Sequence, residues 1–114
     1  MITATFRENQ NTGDISFKST GHAQSAPKGE DLICAAASAF ALQATQSIRT
    51  MERQEWLEKP AVAEVKAGRC YLRIRPKPEY RVICFNMLQV VATGYQVLAE
   101  TFPKHVELHS FGNA

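Results

Sequence analysis

The stretch Gly29-Glu30-Asp31-Leu32-Ile33-Cys34-Ala35-Ala36-Ala37-Ser38-Ala39 marks where a turn-forming segment gives way to an Ala-rich run. Upstream, Thr20-Gly21-His22-Ala23-Gln24-Ser25-Ala26-Pro27-Lys28 is punctuated by glycine and proline, which predicts a loop from Gly21 to Glu30. Asp31 is a suitable helix N-cap, because its carboxylate can accept from N–H groups of the first turn. From there to about Arg53 the residues are mostly good helix formers. Ile33, Ala36, Ala37, Phe40, Ala44, Ile48 and Met51 recur at helical spacing and should face the core. Cys34, Ser38 and Ala41 form a neighbouring strip, since residues three and four apart stack on one face.

Working outward from this helix, Ile2, Ala4 and Phe6 alternate with Thr3, Thr5 and Arg7, the pattern of a strand with one buried face. Turn residues follow from Asn9 to Asp14, and Ile15-Ser16-Phe17-Lys18-Ser19 alternates again. Residues 2–19 therefore read as a β-hairpin. On the other side, Pro60 bars continuation of the helix. Residues 61–67 and 71–75 alternate around Gly68-Arg69, which predicts a second hairpin ended by Pro76 and Pro78.

Tyr80 to Thr101 predicts a second helix, longer and more apolar, ended by Pro103. One stripe holds Ile83, Met87, Val90, Val91, Gly94 and Leu98. Another holds Phe85, Leu88, Ala92, Tyr95, Ala99 and Phe102. Two apolar stripes place this helix inside the domain or set one stripe against a partner subunit. The stripe of Phe85, Leu88, Ala92 and Tyr95 is the candidate interface. Val106-Glu107-Leu108-His109 is a last short strand. The predicted fold is α+β, one domain over residues 1–114, in the order β-β-α-β-β-α-β. Two helices pack on a mainly antiparallel sheet.

Composition narrows the function classes. The chain has 114 residues, 45% apolar and 21% charged, enough for one domain with a real core. A formal net charge of +2 is too small to argue for nucleic-acid or membrane binding by electrostatics alone. Three cysteines, an odd number, argue against a disulfide framework and for a reduced, cytoplasmic setting. The opening residues alternate rather than forming the apolar run of a signal peptide. No stretch reads as long and apolar enough to span a bilayer.

The chemistry centres on His22 and Cys34. A cysteine in the first turn of a helix faces the positive end of the macrodipole, which stabilises a thiolate. A histidine carried alongside by the loop could take the thiol proton. The free N–H groups near Cys34 are then the candidate oxyanion donors. Other readings stay open at this point. A lone cysteine is often a packing residue, and a lone histidine often a surface or capping one. His22, Asp31 and Cys34 could also supply three metal ligands, although there is no Cys-x-x-Cys pair and His105 and His109 lie far off in sequence. Gly29 would suit an anion site at the helix start, but no phosphate-loop fingerprint is present. Cys70 and Cys84 read as packing residues. The run Arg69, Arg73, Arg75, Lys77 and Arg81 is a solvated hairpin face or an acidic-partner or RNA-facing patch.

Taken together, Gly21-His22-Ala23 followed by Gly29-x-Asp31-x-x-Cys34-Ala35-Ala36-x-Ser38-Ala39 resembles the signature of the ribosomal-processing cysteine proteases of bacteria. The initial Ile2-Thr3-Ala4-Thr5-Phe6 strand and the later Gly94-Tyr95-Gln96-Val97-Leu98-Ala99, Phe102-Pro103 and Val106 also resemble that family. The loop departs from it, with Gln24-Ser25 where a Gly-Tyr pair is frequent.

The resemblance implies a hydrolase with His22 as base and Cys34 as nucleophile, working without metal or other cofactor. Asp31 and Ser38 are supporting candidates, and Gly21 and Gly29 are candidate hinges of a loop that closes over the peptide. The implied substrate is the N-terminal extension of a large-subunit ribosomal protein, removed during ribosome biogenesis. A homodimer is implied as well, with no membrane and no direct nucleic acid required. The rival expectation is a non-enzymatic ribosome-associated or RNA-binding module, supported by the arginine-rich hairpin.

Overall fold

The computed structural model describes residues 1–23 and 31–111. Five strands and two long helices form: β1 (Ile2–Glu8), β2 (Ile15–Thr20), α1 (Leu32–Arg53), β3 (Val62–Lys66), β4 (Arg69–Ile74), α2 (Arg81–Thr101) and β5 (Val106–His109). This is the predicted α+β order, β-β-α-β-β-α-β. A 3₁₀ turn, Pro78–Tyr80, precedes α2 and takes the residue at which the sequence reading started that helix. The second hairpin turns at Ala67-Gly68, and Arg69 belongs to β4.

One mixed sheet runs β3-β4-β2-β1-β5. Every pairing is antiparallel except β1 with β5, where Ile2 lies beside Val106. The alternation places Ile2, Ala4, Phe6, Ile15, Phe17, Leu72, Ile74 and Val106 on one buried face. The helices cover that face. Ile33, Ala37, Ala44, Ile48 and Met51 of α1 are buried there, with Ala36 and Phe40 partly so. The opposite face stays open and polar, carrying Thr3, Thr5, Arg7, Ser16 and Arg73.

Tyr95 ties the layers together. It is fully buried, and its ring lies 5.5 Å from Phe17 and 5.7 Å from Phe40. Its hydroxyl donates to the Ala37 carbonyl at 2.8 Å, linking α2 to α1 one turn beyond Cys34. Burial pushes this phenol up to about 12. At Gly94 the helices come so close that an added Cβ would lie 2.8 Å from the Phe40 ring.

Two expectations about α2 need correction. Leu88, Ala92 and Tyr95 were the candidate interface, but all three are core residues. The apolar side chains left outside are Val82, Ile83, Val90 and Val97. A helix apolar on most of its circumference does not reveal from periodicity which stripe meets the sheet. Moreover, Pro78–Thr101 is long and apolar enough to cross a membrane, with mean hydropathy 1.5, contrary to the reading that no stretch is. Here it serves as a core helix, with Cys84, Leu88, Val91, Ala92, Tyr95 and Leu98 buried.

Within the basic run from Arg69 to Arg81, Arg75 pairs with Asp14 through Nε at 2.8 Å. Arg81 pairs with Glu8 and also donates to the Gly13 carbonyl. These two cations brace the β1–β2 turn.

Candidate active site

The site forms where the end of β2 passes the start of α1. Asp31 caps the helix as its sequence position predicts: Cys34 N–H donates to Asp31 Oδ1 at 3.0 Å. Ala35 N–H donates to the Asp31 carbonyl at 3.1 Å. The cap fixes the first turn and hence the Cα–Cβ direction of Cys34. Asp31 thus engages the N–H groups of both Cys34 and Ala35. Asp31 is the carboxylate at this positive end of the helix dipole, and no further acidic residue stands in the first turn of α1.

A different donor meets the sulfur. Ala23 N–H donates to Cys34 Sγ at 3.2 Å, joining residues 11 apart in sequence. Such a bond stabilises negative charge on sulfur. Ala23 is 2% exposed, while Cys34 is half-buried beside it. The segment carrying His22 and Ala23 is therefore docked against Cys34.

The Gly-His-Ala pattern has a physical reason at each position. Gly21 has φ 94°, and a Cβ there would collide with the Met1 carbonyl. Its N–H donates to the Gly68 carbonyl at 2.9 Å. His22 carries the imidazole, and its own carbonyl accepts from the Met1 nitrogen at 2.7 Å. Ala23 fills a buried place where a larger side chain would displace the core.

The His22 ring rests on the β3–β4 turn. A Cβ added to Gly68 would stand 2.7 Å from His22 Nε2, and Gly68 has φ 72°. Among the described residues no hydrogen bond joins this ring to Cys34. Catalytic hydrogen bonds of this kind often tighten only once substrate is bound.

Ser38 is exposed one turn after Cys34 and lines a small groove of about 180 Å³. Ala37, Ala41 and Leu42 form one wall and Val65 and Gly68 the other. The groove is mostly apolar, and Gly68, which supports His22, stands at its edge. Gly29 and most of the Gly21–Glu30 loop lie outside the described residues, and so does the expected loop closure. Among the described residues no three His, Cys, Asp or Glu side chains converge as a metal cluster.

The other two thiols are chemically quiet. Burial pushes Cys84 up to about 11 and raises Cys70 as well. Neither ionises readily near neutral pH, which leaves Cys34 as the half-exposed cysteine at a helix N-terminus.

Two parts of the site had no usable signal in the sequence. Gly68 reads only as a turn residue, and His105 lies 82 residues from Ala23, yet His105 Nδ1 is 2.9 Å from the Ala23 carbonyl.

Known proteins share this architecture. The S. aureus ribosomal processing protease Prp, solved with a covalently linked product peptide, superposes with a TM-score of 0.69 at 21% identity. The match covers 96% of this chain and 99% of that one. The same enzyme solved with a substrate peptide gives a TM-score of 0.64 at 20% identity, again over 96% and 99% of the chains. The ribosomal processing cysteine protease Prp of Bacillus subtilis is 42% identical over 48 residues, 42% of this chain. The aligned stretch spans 43% of that relative's length. The family model described as cysteine protease Prp matches residues 1–107. By that match, which takes in every strand of the sheet up to the start of β5, the chain belongs to the cysteine protease Prp family.

Proposed function

We propose that this chain is a cysteine endopeptidase of the cytoplasm that removes the N-terminal extension of a large-subunit ribosomal protein, with Cys34 as nucleophile and His22 as base. The observation that carries the reading is the docking of the His22–Ala23 segment on Cys34, through the Ala23 N–H···Sγ contact at 3.2 Å. That contact sets the residue next to His22 against a thiol at a helix N-terminus, which supports pairing the two side chains.

In the proposed reaction His22 takes the Cys34 proton. The thiolate attacks the scissile carbonyl and forms a C–S bond, and the negative charge passes to the carbonyl oxygen. Ala23 N–H, already beside the sulfur, is placed to donate to that oxygen. Collapse breaks the C–N bond, and the leaving amine takes the proton from His22. Water, deprotonated by His22, then attacks the thioester and releases the acyl fragment and the thiol. Asp31 holds the first turn of α1 in register and is not needed as a proton carrier.

The relatives named as ribosomal processing proteases support this substrate class. The implied homodimer draws on the exposed stripe of α2, where Ile83, Val90 and Val97 recur seven residues apart at 43%, 60% and 56% exposure. For the rival RNA-binding module, two of the five cations of the basic run, Arg75 and Arg81, are engaged by Asp14, Glu8 and Gly13.

The test is cleavage of an extended large-subunit ribosomal protein, read by product mass. Wild-type protein should release the extension as one peptide. Cys34→Ser, nearly isosteric but far less acidic, should release none while keeping its fold. Full cleavage by Cys34→Ser would remove Cys34 from the mechanism.

A further inference from the structure

His105 stands behind the site, in the turn between α2 and β5. Its backbone is fixed from two directions. Its N–H donates to the Phe102 carbonyl at 2.9 Å, and its carbonyl accepts from Ile2 N–H at 2.8 Å. The part-buried ring is thus mounted on the frame of α2 and β1, apart from the loop that carries His22. Its Nδ1 lies 2.9 Å from the Ala23 carbonyl. A carbonyl only accepts, so Nδ1 carries the hydrogen and donates. It does so in the neutral Nδ1–H tautomer and in the imidazolium alike.

Ala23 is therefore held at both ends. Its carbonyl is pinned by His105, and its N–H is aimed at Cys34 Sγ. The residue is buried, so a carbonyl deprived of this donor would have to turn toward other partners or water. Rotation about Ala23 would carry its N–H off the sulfur and shift His22, the preceding residue. We propose that His105 is a positioning residue for the thiol chemistry of Cys34, acting through the Ala23 peptide groups. The inference rests on the reading of Cys34 as the nucleophile.

The experiment compares His105→Ala, His105→Asn and His105→Gln with the wild type. Iodoacetamide alkylation of Cys34 is followed from about pH 6 to 9, across the usual thiol range, with no peptide present, and peptide cleavage is followed separately. Asparagine places an amide donor near the position of Nδ1, whereas glutamine places it near Nε2. Losing the donor should slow alkylation near neutral pH by roughly fivefold, the scale of one ordinary hydrogen bond, and move the pH–rate profile upward. His105→Ala and His105→Gln should show this loss, and His105→Asn should recover most of the wild-type profile. Where cleavage is measured, kcat should fall in the same order with KM little changed.

Folding is checked by thermal melting. If His105→Ala does not fold, the comparison of the two amides decides. Wild-type alkylation in folded His105→Ala would overturn the proposal, as would equal loss in the Asn and Gln variants, which would reduce His105 to a filler of space. Alkylation that depends on His105 in a protein that cleaves no peptide would sink the protease reading and leave this one standing.

Discussion

Gly68→Ala separates the support of His22 from the stability of the fold. Gly68 has φ 72°, a conformation that costs an L-residue roughly 1–2 kcal/mol. At about 2.1 cal/mol/K per residue, the unfolding entropy of 114 residues is about 0.24 kcal/mol/K. The melting temperature should therefore fall by roughly 4–8 °C. The second effect is local. The new Cβ would lie 2.7 Å from His22 Nε2, about 0.7 Å inside the shortest ordinary contact of 3.4 Å. Backbone on the Gly68 side is held by the Gly21 N–H···Gly68 carbonyl bond, so the exposed imidazole is the part that yields. Misplacing a reacting group by an ångström can cost about 10²-fold, and the loss of kcat should approach that scale. Gly13→Ala is the control. Gly13 also has positive φ, 81°, but its Cβ would meet only the flexible end of Arg81 at 3.0 Å, far from the site. Both variants should lose similar stability, and only Gly68→Ala should lose turnover. Assayed well below both melting temperatures, a Gly68→Ala enzyme with wild-type kcat would refute the reasoning, as would an equal loss in Gly13→Ala.

Three further outcomes follow from the packing and charge pairs. Tyr95→Phe removes one buried O–H···O=C bond to Ala37 while keeping the ring, so it should cost about 1 kcal/mol. By the same entropy that is roughly 4 °C in a melt, and an unchanged melt would deny the bond any net value. The Arg75 hydrogen bond, with its charge, holds the Asp14 carboxyl below the ordinary carboxylate range. Its contribution is thus present above the unfolded carboxylate pKa and is lost as pH falls through the lowered folded value. Asp14→Asn should flatten that acid limb of stability against pH, and an identical limb in the variant would contradict the assignment. Val90→Arg alters a residue 60% exposed in the single chain, so the fold should hold while a dimer using this stripe dissociates. Sedimentation that shows an unchanged dimer would place the interface on another face.

Much of the architecture was legible because it rests on local signals. Alternation at Ile2, Ala4 and Phe6, the Asp31 cap and the stop at Pro103 fix elements from neighbours in the chain. What could not be read depends on long-range encounters. The parallel pairing of β1 with β5 joins Ile2 to Val106, and no local pattern reports it. On α2, Leu88 and Val90 are equally apolar, yet one is buried and the other exposed. Only the position of the sheet distinguishes them. The site divides in the same way. His22 and Cys34 stood out through their motif, and Asp31 through its place before the helix. Which N–H meets the sulfur was not legible: the Asp31 side chain and carbonyl take the N–H groups of Cys34 and Ala35, and Ala23, 11 residues upstream, faces Sγ. Gly68 and His105 act on the site only because the turn and the α2–β5 connection fold back onto it.

The central claim is that His22 and Cys34 act as a pair, and the pH dependence of Cys34 alkylation in wild type and His22→Ala tests it most directly. A histidine that draws the proton and holds the thiolate should make wild-type Cys34 react fast near neutral pH. His22→Ala should react more slowly there and recover as pH rises toward the ordinary thiol range near ~8.5. A metal site would behave in the opposite sense, with loss of His22 leaving the thiol more reactive and a chelator mimicking the mutation. An alkylation profile that does not change on His22→Ala would contradict the pairing of these two residues.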